Sequence, residues 1–172
     1  MNEINDNIEN LASTEAINKI KELATDADIC LFVTHLEELP LSGRPMSTQE
    51  VDDEGNLWFF SDRTSDKNMH ILNDNRVQLF YGNRNDSEYL CIYGTAEILT
   101  DRNKIKELWK PLVKAWFNEG EDDPDITLLK VKPVDAYYWD TKDNKMISLI
   151  KIAISAMTGK TMDGSVEGSL KV

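Results

Sequence analysis

Positive charge and reactive side chains are both scarce in this chain of 172 residues. Lysine and arginine total 19 against 31 aspartates and glutamates, a formal net charge of -12. The mean surface field therefore repels phosphate backbones and anionic lipid. Neither nucleic acid nor membrane is an expected partner, and any anionic ligand must be held by a local positive site. Only two histidines occur, His35 and His70, without cysteine or carboxylate partners at metal-ligand spacing, so no metal site is expected. His35, in the middle of an expected strand, reads as a satisfied strand residue rather than a general base. Cys30 and Cys91 lie inside apolar runs and read as small buried hydrophobes in a reducing compartment. No apolar run approaches the roughly 20 residues that cross a bilayer. The first residues, MNEINDNIEN, are acidic and polar, the wrong chemistry for a signal or transit peptide, and a cytoplasmic protein is expected.

Catalytic signatures are missing too. There is no G-x-G-x-x-G. MTGKT (157–161) has the end of a P-loop, but the first glycine of that motif would fall on Ile154. DGSVEG is no nucleophile elbow, because its serine directly follows the glycine. The acidic loop from Glu119 to Asp125 fits no calcium-loop register. If the protein is an enzyme, a bound cofactor must carry the reactive chemistry.

What is present is a globular pattern, with 41% hydrophobic and 29% charged residues, and a length that suits a single domain over 1–172. No internal repeat or linker interrupts it, and residues 1–13 and 160–172 are expected to be flexible ends. Ile17, Ile20, Leu23, Ala24 and Ala27 fall at three-and-four spacing, which predicts an amphipathic helix over 14–26. Residues 29–37 are apolar on both alternating faces and predict a strand buried on both sides. Residues 44–51 and 57–62 predict a hairpin turning at Gly55 and Asn56. A short helix over 66–73, strands over 76–82 and 89–100, and a helix over 101–117 broken near Pro111 follow. In that last helix Ile105, Leu108, Leu112 and Trp116 would share one face, while Gly94 marks a bulge in the strand before it. Strands over 126–133 and 135–140 and a helix over 147–159, capped at Gly159, complete the pattern. Six or seven closely spaced strands with marginal helices predict a mainly β, α+β fold, an antiparallel barrel or sandwich.

The stretch LWFFSDRTSDKNMHIL (57–72) carries the chemistry. A core strand runs into Ser61, Ser65 and Lys67 and then into a helix. Ser65 suits the N-cap and Asp66 the first turn, where a carboxylate complements the helix dipole. Lys67 does not suit that turn, unless an external anion sits on the exposed N–H groups and the ammonium completes its coordination. A capped turn and a phosphate cradle are both compatible with these residues.

SGRPMST, DEGNLWFFSDRTSDK, GTAEILTDRNKIKELWKPLVKAWF, DDPDITLLKVKP and YYWD, in this order, resemble the general stress protein group of the pyridoxamine 5'-phosphate oxidase-like FMN-binding split barrels, over about residues 14–160. The resemblance implies a six-stranded antiparallel split β-barrel with flanking helices, a homodimer, and FMN at the subunit interface. It implies that Ser65, Asp66 through its backbone N–H, and Lys67 hold the FMN phosphate, and that Phe60 and Ser61 line the ribityl chain and ring. Arg44, Pro45, Met46 and Ser47 would run along the same site, Arg44 as a further cation and Met46 against the isoalloxazine. Trp139 is similar to a tryptophan that related oxidases offer from the second subunit. Trp116 and Phe117 would cover the flavin or pack on the helix face.

The chain also departs from the true oxidases. An arginine and a histidine for the vitamin substrate follow that tryptophan in the oxidases, where this sequence reads WDTKDNK, and Tyr89 stands where they have a flavin-contacting glutamine. Oxidation of pyridoxamine phosphate is therefore not expected. The expectation is an FMN-dependent oxidoreductase of unknown substrate, with a nicotinamide electron donor. A non-catalytic flavin sensor or carrier is the alternative, and a deazaflavin or haem user on the same scaffold a third.

Overall fold

The computed structural model describes residues 2–140 and 145–149, with side chains over 14–139 and at Leu149. Helix α1 (Asn2–Ala27) is followed by strands β1 (Ile29–Thr34), β2 (Ser42–Ser47), β3 (Glu50–Val51) and β4 (Leu57–Asp62), then helix α2 (Asp66–Asn73). Strands β5 (Arg76–Asn83) and β6 (Glu88–Leu99), helix α3 (Arg102–Leu108), two 3-10 turns (Pro111–Ala115 and Gly120–Asp122), and strands β7 (Ile126–Asp140) and β8 (Lys145–Ser148) complete the order. The sheet runs β2-β1-β5-β6-β7-β4-β3, with β8 added to β7, and every pairing is antiparallel. Its two edge strands, β2 and β3, are joined by Thr48 and Gln49 alone, so the sheet has to curl until its edges meet. This is the expected split barrel, in eight strand segments rather than six.

The inward rows are apolar. Phe32, Leu79, Ile92 and Ala136 are register partners across four strands, and all are essentially inaccessible. Phe59 meets Phe32 edge-on at 5.2 Å. Helix α1 lays Ala16, Ile20, Leu23 and Ala24 against this core, as its spacing predicts. A second cluster, Trp58, Ile105, Leu108, Val113, Phe117, Ile126 and Leu128, holds α3 and the first 3-10 turn to the other face of β4 and β7.

Several boundaries differ from expectation. The strand over 44–51 divides, because the curl hands Ser42–Ser47 to β1 and Glu50–Val51 to β4. Strand β1 ends at Thr34, and His35 lies beyond it with φ +59, so it is not a mid-strand residue. Nor is β1 covered on both faces: Ile29 and Leu31 are 54% and 48% exposed. Gly55 takes φ +85, whereas Asn56 is buried and donates from Nδ2 to Asp52. Pro111 breaks the helix as expected. The tighter 3-10 turn shifts the phase, so Val113 and Phe117 are buried and Leu112 and Trp116 are left outside. The expected bulge is present at Tyr93/Gly94. It lets β7 run unbroken through Pro133, which stands opposite Gly94 and has no N–H to offer. Finally, Ile147 and Ser148 belong to β8 and pair with Tyr138 and Tyr137. The expected helix therefore cannot begin at 147, and its remainder from residue 150 lies outside the described residues.

Candidate functional site

The corner between β4 and α2 is built around a buried polar network. The Asp62 carboxylate accepts from the Thr64 N–H and hydroxyl, both at 2.7 Å, and turns the chain out of β4. Ser61 Oγ donates to Asn68 Oδ1 at 2.6 Å, Asn68 Nδ2 donates to Thr127 Oγ1 at 3.0 Å, and Thr127 Oγ1 donates to the Ser61 carbonyl at 2.9 Å. All three residues are buried, and the closed triangle fastens the first turn of α2 to β4 and β7.

Ser65 stands at the N-cap with extended backbone, yet its side chain makes no capping bond. Its hydroxyl instead donates back to the Asp62 carbonyl at 2.7 Å, which corrects the expectation of a side-chain cap. Among the described residues no side chain accepts from the first-turn N–H groups, and the positive end of the α2 dipole is left open.

Two cations face this end. Arg44, on β2, donates from Nη1 to Thr34 Oγ1 at 2.7 Å and the Phe32 carbonyl at 3.3 Å, and from Nη2 to Ser42 Oγ at 2.7 Å. These bonds hold the guanidinium plane and leave Nε–H and one Nη2 hydrogen of its five donors for something else. Burial pushes Arg44 below its ordinary pKa, with Asp66 opposing. Burial, then the nearby Arg44, push the half-buried Lys67 ammonium down as well. Among the described residues no carboxylate lies within ion-pair distance of Lys67. Two desolvated like charges beside an open helix N-terminus are an arrangement that an anion relieves.

The corner thus gathers Arg44, Ser61, Ser65, Asp66 and Lys67. The other expected site residues lie elsewhere in the chain. Met46 is buried in the main core opposite Cys30. Pro45 and Ser47 point outward, Ser47 donating to Asp28 at 2.8 Å. Phe60 faces away from Ser61 and packs edge-on against Trp109 and Phe117, at 5.9 and 6.3 Å. Phe117 is buried there, and Trp116 is 83% exposed. Trp139 lies on the outer face of the sheet, opposite Tyr89. Sequence reasoning missed Thr34, Ser42, Asn68 and Thr127. A polar residue inside an otherwise apolar strand, as in ITLL, was the available signal for Thr127.

A curled antiparallel sheet with two half-buried cations and two hydroxyls gathered at one strand-to-helix corner defines the class, a split barrel. The chain belongs to the pyridoxamine 5'-phosphate oxidase like family, whose sequence model matches residues 15–163. It is 25% identical over 156 residues to Protein bli-3 of Neurospora crassa, covering 85% of this chain and 75% of that one. Its fold is similar to that of a Clostridium acetobutylicum protein related to general stress protein 26, with TM-score 0.66, 24% identity, and coverage of 81% of this chain and 98% of that one. It is also similar to the general stress FMN/FAD binding protein of Xanthomonas citri, with TM-score 0.62, 25% identity, and coverage of 75% and 88%.

Proposed function

We propose that this protein is an FMN-binding general stress protein acting as a cytoplasmic homodimer, with flavin-dependent oxidoreductase activity on a substrate other than pyridoxamine phosphate. The observation that carries the reading is the pair of half-buried cations, Arg44 and Lys67, at the uncapped end of α2. In a chain of net charge -12, such a cationic corner fits a dianionic phosphate. Arg44, Lys67, the Ser65 hydroxyl and the first-turn N–H groups would hold that phosphate, and the Asn68 triangle would keep the donors in place. When bound, the flavin supplies acceptance and release of hydride. A flavin-binding relative of known fold supports the same reading.

The outer face of the sheet supports the dimer. Pro45, Leu31, Phe80, Cys91 and Tyr137 are successive register partners across five strands. Leu31, Phe80 and Tyr137 are 48%, 39% and 36% exposed, with Tyr89 and Trp139 beside them. A continuous apolar row of this kind calls for a partner, and a second copy resting on it would also cover Trp139.

Mass spectrometry with an absorption spectrum of the protein as isolated tests the cofactor. A yellow protein releasing FMN supports the reading, and a deazaflavin or haem spectrum replaces FMN. Light scattering tests the dimer, and a monomer that retains flavin contradicts it. Because both corner cations are taken up by one phosphate, no second anion site is left there for a substrate, which favours a flavin carrier or sensor as the second reading. Stopped-flow reduction by NADH or NADPH separates the two: reduction no faster than that of free FMN favours the carrier.

A further inference from the structure

We propose that His70 is a positioning residue of the phosphate corner: through Thr34 it orients Arg44 toward the anion, and it does so as the neutral imidazole. The inference rests on the reading of Arg44 and Lys67 as phosphate ligands. His70 Nδ1 lies 2.9 Å from Thr34 Oγ1, and that oxygen lies 2.7 Å from Arg44 Nη1. Arginine can only donate, so Thr34 accepts from Arg44, and among the described residues His70 Nδ1 is the acceptor within reach of its single hydrogen. With Nδ1 as that acceptor, His70 carries its proton on Nε2, and a relay runs from Arg44 through Thr34 to His70. Thr34 is fully buried. Protonation would turn Nδ1 into a donor, and the Thr34 hydrogen would lose its acceptor, a costly state for a buried hydroxyl.

The charged and titratable groups around His70 come from four elements. Asp66, Lys67 and Asp74 lie on or at the end of its own helix. His35, whose ring is 4.9 Å away, lies after β1 with Glu37 and Glu38. Arg44 comes from β2, and Arg76 from β5, ion-paired with Asp74 at 2.8 Å and with Glu37. An imidazolium at position 70 would also add positive charge near the anion and strengthen binding on acidification. The relay predicts the opposite sign, so the two effects are separable.

The test is FMN titration by fluorescence quenching between about pH 8 and about pH 5, the range in which imidazoles change charge, on wild type, His70→Gln and Thr34→Val. At about pH 8, His70→Gln should bind FMN within about twofold of wild type, because its amide oxygen accepts the Thr34 hydrogen, while Thr34→Val should bind about 5- to 30-fold more weakly. Riboflavin, which has no phosphate, should bind Thr34→Val and wild type alike. On acidification the ratio of the wild-type Kd to the His70→Gln Kd should rise several-fold, and titration of the ligand phosphate cancels in that ratio. A flat or falling ratio, or wild-type affinity in Thr34→Val, overturns the relay while leaving FMN binding intact. Failure of the wild type to bind FMN at any pH overturns the functional reading itself, and the relay with it.

Discussion

Replacing Asn68 with alanine removes the pin of the β4–α2 corner, and its cost can be worked from the geometry. The side chain is 2% exposed. It accepts from Ser61 Oγ at 2.6 Å and donates to Thr127 Oγ1 at 3.0 Å. Thr127 keeps its own bond to the Ser61 carbonyl, and the Ser61 hydroxyl can turn to the Asp62 carbonyl, now 3.4 Å away. The loss is therefore two buried hydrogen bonds with partial rescue of one partner, about 2–3 kcal/mol in all. Urea unfolding followed by tryptophan fluorescence should show a lowered midpoint with an unchanged slope, the signature of lost stability without a changed unfolded state. FMN affinity should fall with it, because the first turn of α2 is no longer fixed against β7. A stability loss below about 0.5 kcal/mol, the ordinary range for a surface substitution, would refute the claim that this triangle anchors the corner.

Three further outcomes follow from the fold. Gly94→Ala should destabilise by about 1–3 kcal/mol in the same assay, since an added Cβ would run into the Lys132 carbonyl oxygen, a backbone atom that cannot move aside. Burial pushes the Cys30 thiol up to about 12, so it should resist a disulfide reagent at about pH 8 until denaturant is added, thiolate being the reactive form. Burial raises the Asp52 carboxyl, but hydrogen bonds from Trp58 and Asn56 outweigh it and leave the pKa below the ordinary aspartate value. Its stabilising contribution is therefore full above that value and lost as pH falls through the lower folded one. Asp52→Asn should flatten the acid side of a stability–pH profile there.

The parts of the fold legible in the sequence were those with local causes. The α1 face, the Gly94 bulge and the break at Pro111 each follow from spacing or from one residue's backbone chemistry. Features set by distant neighbours were not. Strand β4 has six residues and covers only the first part of β7, which leaves the far end of β7 with an open edge for β8. The local spacing of Ile147, Ile150 and Ile154 cannot reveal that edge. Ile29 and Leu31 look like core residues, because an apolar face left open on the sheet has the same composition as one already buried. At the site, Ser65 and Lys67 could be picked out because a cation is out of place in a first helical turn. Arg44 was reached only through the family resemblance. Thr34 and Asn68 gave no local signal, and Thr127 only its hydroxyl within ITLL, since their roles come from contacts across 36 and 59 positions of chain.

The most direct test of the central claim is an FMN titration of wild type beside Lys67→Ala. The account predicts one FMN bound per chain and a loss of about 1–3 kcal/mol in the variant, the effect of removing a charge-assisted partner. Wild-type protein that binds no FMN, or a Lys67→Ala variant with unchanged affinity, would contradict it.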